Sequence, residues 1–196
     1  LTRMEAIMIG IALSATCGFR VFVPLLAVNI GTRALDADGQ PLIELADGFD
    51  WLSSDIALIV FLVATLFEIG GYYIPWIDNL LDTIASPASI VAGTVITASF
   101  VTGMDPWLQW LLGVIAGGGA AGAVQAATVV TRASSTVTTG GLGNPIVASV
   151  ETSGAFLGSA LSIVAVEFAI VVFVLLLGGG VWIWWRRRRH KLAEAH

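Results

Sequence analysis

Cysteine, histidine and charge are what this sequence has least of. Its 196 residues hold 1 cysteine and 2 histidines. The single thiol, Cys17, can form neither an intramolecular disulfide nor a thiolate metal cluster, so it reads as a small packing residue. His190 and His196 both lie in the C-terminal tail, which leaves no imidazole for an active site in the apolar body. Charged residues make up 12% of the chain, against roughly 25% in soluble proteins. No GxSxG, HExxH, Walker or dinucleotide-binding pattern occurs, so the enzyme classes built on them have no support and no cofactor is implied. The one basic cluster, Arg186 to Arg189 with His190 and Lys191, is explained by membrane topology, and nothing suggests nucleic-acid binding.

What the sequence has is apolar length. Hydrophobic residues are 57% of the chain and its mean hydropathy is +0.90. A hydrocarbon core ~30 Å thick needs about 20 apolar helical residues. Candidate spans run roughly over 5–30, 55–74, 87–104, 107–130 and 145–185. Arg3 followed by AIMIGIALSATC resembles a signal peptide, but the apolar run continues through Val21–Ile30, so the stretch reads as a first membrane helix. The last run would extend roughly 60 Å as one helix. Splitting it near Ser162–Val166 gives six spans, with five as the alternative.

Charge placement favours six. The Trp-flanked VWIWWRRRRHK puts the C-terminus on the cytoplasmic side, with Trp182, Trp184 and Trp185 at the headgroups. Six spans then place Arg3, the 74–86 loop and Arg132 inside. The loop over about 31–54, rich in Asp36, Asp38, Glu44, Asp47 and Asp50, goes outside. The expectation is an all-α polytopic membrane protein with a single transmembrane domain over 1–185 and a basic tail over 186–196. Both termini are expected on the cytoplasmic side.

A weak internal repeat accompanies this pattern. Trp51-Leu52 and Trp107-Leu108 open two segments, and Glu68 and Gln125 follow at matching distances. Ser86-Pro87 and Asn144-Pro145 come next, with Thr94 and Thr152 beyond them. Each copy would be a helix, an inside loop and a returning helix, which makes the two copies parallel. Pro24, in FRVFVPLL, fits a third, permuted copy only if it lies near the inside face. A single first span puts it near the outside.

Ionisable residues within spans are costly and usually meet protein, water or a partner. Glu68 and Glu151 fall at similar depths in the inner half, Gln125 joins them, and Arg132 is a partner for the layer. Arg20 and Glu167 fall towards the outer half and suit an ion pair with each other. Asp78 and Asp82 are four residues apart, so a helical WIDNLLDTI presents both on one face of an interfacial segment. The loop TRASSTVTTGGLGNP ends on Asn144, a natural helix cap, with Pro145 in the first turn. Glu68, Asp78, Asp82, Arg132, Asn144 and Glu151 thus compose a candidate inward-facing site. Oxygen ligands alone suit a hard cation or protons.

The residues GFRVFVPLL, EIGGYYIPWIDNLLDTIASP and TTGGLGNP together resemble the bacterial integral-membrane proteins catalogued as domain of unknown function 4126. The resemblance covers roughly residues 5–175 and implies a compact polytopic membrane protein without supplying an activity. The residues themselves lead to two expected functions, with a membrane enzyme acting on lipid head groups through interfacial carboxylates as a third. One is a transporter or channel for a small ion or solute. The other is a scaffold binding lipid, pigment or a partner subunit, supported by Tyr72, Tyr73 and Trp76 and by the Gly/Ala-rich helix over 107–130. That helix, with its GxxxG-like spacing, also suits a homo-oligomer contact.

Overall fold

Apolar sequence at this density satisfies its backbone groups internally, and helices do this within a single segment. The computed structural model describes residues 2–74, 77–165, 171, 174–175, 178–179 and 185–186, without the side chains of Asp78 and Asn79. Among them there is no strand, only an isolated bridge between Leu35 and Pro41. The helices are α1 (Arg3–Thr16), α2 (Phe22–Arg33), α3 (Asp55–Gly71), α4 (Ile77–Phe100), α5 (Pro106–Leu112), α6 (Gly119–Thr139) and α7 (Asn144–Val164). A 3-10 turn, Asp50–Ser53, precedes α3, and a π-helical segment, Gly113–Gly118, joins α5 to α6 in one rod. Leu80–Phe100, Pro106–Thr139 and Asn144–Val164 are long and apolar enough to cross a membrane.

The first span is not one helix. Residues 5–30 fold as α1 and α2, of 14 and 12 residues, or about 21 and 18 Å. Neither crosses a bilayer core alone. Their outer ends meet the same layer. Thr2, Arg3 and Ala6 at the start of α1 line a cavity with Ile43, Phe100 and Ile163, and Gly31 in α2 packs on Ile43 and Ile163. Their inner ends meet at Cys17–Val21, beside Gln125 of α6 and Glu151 of α7. The pair is therefore a hairpin that enters the bundle and leaves at the same end. That end carries Arg33, the 34–54 segment and the last turns of α4 and α7, and is called here the acidic end. The opposite, turn end holds residues 72–74, 77 and 140–143.

Two expectations change with this. Arg3 lies at the acidic end, where it shares a cavity with Asp36 and Glu44, and not on the side of Arg132. Pro24, the third residue of α2, sits close to the hairpin tip and so towards the turn end, which removes its conflict with a third repeat. All three helix pairs, α1–α2, α3–α4 and α6–α7, turn in the same direction, and the first is cut short.

Several boundaries match expectation. α7 begins at Asn144-Pro145 and ends at Val164, where extended Ala165 breaks the long final run. Glu167, Trp182, Trp184 and residues 187–196 lie outside the described residues. Others differ. PWIDNLLDT is no separate interfacial helix, because α4 starts at Ile77 and continues through Pro87. Proline removes one backbone donor there, and the Ser86 hydroxyl bonds the carbonyl of Asp82 at 2.9 Å. The glycine-rich face of the rod packs within the chain. An added Cβ at Gly113 would lie 2.6 Å from the Thr94 carbonyl oxygen, and one at Gly118 would lie 2.7 Å from Thr94 Oγ1.

The hairpin gives a direct test. In a Cys17→Ala background, single cysteines at Thr2 and Asp38 should react with an impermeant thiol reagent from one side of sealed vesicles. A cysteine at Leu142 should react only from the other. Labelling of Thr2 and Asp38 positions from opposite sides would restore a first span that crosses.

Candidate functional site

The hairpin tip is irregular backbone deep in the bundle, and each group there needs a partner. Cys17 and Gly18 donate to Ser14 and Ala15, and Phe19 and Arg20 donate to Thr16. The next two amides open α2 and have no carbonyl before them in that helix. Glu68 of α3 supplies the acceptors: Val21 N–H reaches Oε1 at 2.7 Å and Phe22 N–H reaches Oε2 at 3.1 Å. A carboxylate at a helix N-terminus also meets the positive end of its dipole. Glu68, 6% exposed, is thus the cap of a helix to which it does not belong.

Arg20 holds the tip from another side. Its Nη1 bonds Glu151 Oε2 at 2.9 Å and the Phe19 carbonyl at 2.7 Å. Nη2 bonds the Ala148 carbonyl at 2.9 Å, and Nε bonds the Thr152 hydroxyl at 3.1 Å. Arg132 of α6 reaches the same carboxylate, with Nε 3.1 Å from both oxygens and Nη2 on Oε2. Both guanidinium carbons lie 4.1 Å from the centroid of the Tyr72 ring, at cation–π distance. Arg20, Arg132 and Glu151 are each under 5% exposed. Charges so buried persist only when paired.

The third hold is steric. Gly18 lies against α6 so closely that a Cβ there would come within 2.6 Å of the Ala121 carbonyl oxygen and the Gln125 nitrogen. Deeper in α1, the Ser14 hydroxyl lies 2.7 Å from the Gly93 carbonyl and 2.8 Å from the Thr97 hydroxyl of α4. Thr16 meets Ser159 of α7 at 3.1 Å. The tip is gripped by α3, α6 and α7 together.

The expected site residues distribute as follows. Glu68 and Glu151 engage the consecutive residues Arg20, Val21 and Phe22, and Arg132 joins them. Asp82, partly exposed, lies 3.9 Å from Arg132 Nε at the turn-end edge of the cluster. The Asp78 side chain lies outside the described residues. Asn144 is not in the cluster. It is the first residue of α7 with Gly143 as cap, and its side chain bonds Thr136. Arg20 faces Glu151 and not the outer half, and its expected partner Glu167 is outside the described residues. Sequence reasoning missed both Arg20 and Tyr72 as members of the cluster. Thr65, one turn before Glu68 and 2% exposed, carries the one buried side-chain oxygen without a hydrogen-bond partner among the described residues. No group of three or more His, Cys, Asp and Glu side chains fit for a metal occurs among them either.

No curated protein and no solved structure matches the chain. One family does: the domain of unknown function DUF4126 matches residues 7–186. The match takes in the hairpin, the residues that grip its tip and every long apolar helix, and the chain belongs to that family.

Proposed function

We propose that the protein is a channel or transporter for a small ion or solute, shut at the tip of the α1–α2 hairpin. The observation that supports this most is the hairpin itself. A pair of half-length helices ends in mid-bundle on a buried, charge-compensated cluster. Broken helices and ionisable groups at that depth are the materials of solute pathways. The unpartnered Thr65 hydroxyl beside Glu68 supplies a further polar point on the same path. A small cation or a proton is the cargo that the carboxylates suit. In the shut state Glu68 and Glu151 are held by internal partners, so opening requires the tip to leave them. The acidic end faces outward in this reading, in a bacterial cytoplasmic membrane.

Flux in proteoliposomes tests the proposal. The wild-type chain should pass at least one of a panel of protons, alkali cations and small divalent cations faster than empty vesicles. No flux for any of them, with insertion verified, counts against it. So does unchanged flux in a Glu68→Gln, Glu151→Gln double variant. A scaffold role is the second reading, and the complete internal pairing of Glu68 and Glu151 is what favours it.

A further inference from the structure

α3 and α4 join at the turn end, but α3 packs mainly on α2. Beside α2, α4 therefore borders a lateral groove of about 460 Å³. Its floor is Val21 and Phe22 at the hairpin tip, and its long wall is the α4 stripe through Ile84, Ala88 and Val95. Trp51 flanks the groove at its acidic end. The ten described residues that line it are all apolar, and Ala88 and Ala92 are the smallest of them. From Ile84 to Val95 the groove runs about 16 Å along α4. Water has nothing to bond in such a space.

We propose that this groove holds one acyl chain of a phospholipid whose headgroup carries an ammonium. The chain enters beside Trp51 and runs inward to the hairpin tip. Charge at the mouth selects the headgroup. Asp50, next to Trp51 in sequence, and Asp55, at the start of α3, are both exposed. Arg33, the base of that rim, is already committed to Asp55 at 2.8 Å, to the Ser53 carbonyl and to Asn29. An anionic headgroup meets repulsion from Asp50 at this rim, and a zwitterionic one places its ammonium against that carboxylate. A tryptophan at the mouth suits the headgroup level. Because the floor is Val21 and Phe22, whose amides Glu68 caps, the chain braces the tip from the side that α6 and α7 leave open.

Native mass spectrometry of the full chain, released from nanodiscs of equimolar phosphatidylethanolamine and phosphatidylglycerol, tests this. The wild type should retain one phosphatidylethanolamine at energies that strip the bulk lipid. Ala88→Phe, which fills the groove, should lower that retention about tenfold. Val150→Phe, on an exposed part of α7, should leave it unchanged. Ala88→Leu gives the same reading with a smaller filling where Ala88→Phe is not recovered folded. Equal retention by the filled variants, preference for phosphatidylglycerol, or no retained lipid in the wild type overturns the proposal. The assay reads no flux, so its outcome stands apart from that of the conduit.

Discussion

Glutamine in place of Glu151 should cost the protein about 3–5 kcal/mol, the range for removing one partner of a buried ion pair. The substitution is nearly isosteric, so the loss is electrostatic. It leaves Arg20 and Arg132, 1% and 4% exposed, sharing a neutral amide where both had a carboxylate. Asp82 Oδ1 lies 3.9 Å from Arg132 Nε, at the edge of the cluster and not between the two guanidiniums where Glu151 sits. Thermal unfolding of the detergent-solubilised protein measures the effect. Arg132→Gln in the same chain should recover part of it, because one of the two cations that share Glu151 is then gone as well. A coupling above about 1 kcal/mol in the double-mutant cycle identifies the pair as a unit. A loss below about 1 kcal/mol for Glu151→Gln would mean that water already reaches the cluster and screens it.

The depth of Glu68 and Glu151 was legible because helical rise converts residue counts into distance. Both counts run along single continuous helices, α3 and α7. The same arithmetic misplaced Arg20, since the first apolar run reverses at Cys17–Val21 and depth no longer grows with residue number. Signals for the reversal stand in GFRVFVP. An arginine interrupts 26 residues of apolar sequence, a glycine stands two residues before it, and a proline follows four after. Proline favours a first helical turn, and Pro24 occupies one. Taken together they mark a helix start at 21–22. What no local pattern gives is the cap: the acceptors for Val21 and Phe22 come from Glu68, 46 and 47 residues away.

Pro87 misled in the opposite direction. The reading that made Pro145 a helix start made Pro87 one too, and only Pro145 is. The difference is what precedes each. Gly140 and Gly141 take positive φ angles of 62° and 89° before Asn144, which ends α6 and frees the chain to turn. Before Pro87 stands DNLLDTIAS, without a glycine, and the helix runs through. Thr65 carries no signal in the sequence and Tyr72 stands out only as one of an aromatic trio, because neither hydroxyl nor ring is unusual in an apolar stretch, and their importance comes from what other elements bring to them.

Alanine at Gly18 should undock the hairpin tip, and the same change at Gly119 should not. Gly18 is absent from the glycines with positive φ, so backbone strain plays no part and contact decides. A Cβ there would lie 2.5 Å from Val124 Cβ and 2.6 Å from two backbone atoms of α6. Backbone of a packed helix does not yield as a flexible side chain does, so the tip must retreat from α6. Overpacking of this kind costs about 1–3 kcal/mol. Retreat also pulls on Arg20 and on the amides held by Glu68, which lie two to four residues further along. Cys17, fully buried and adjacent, reports the movement without added probes. Its alkylation by a membrane-permeant maleimide should be slow in the wild type and faster by about tenfold or more in Gly18→Ala, the ratio that ~1.4 kcal/mol of lost docking gives. At Gly119, on the same rod, an added Cβ meets nothing within 4 Å. There alanine should leave labelling unchanged and stabilise the helix by roughly 0.5–1 kcal/mol. If the two variants label Cys17 alike, the tip is not seated on α6, and the conduit loses the element that shuts it.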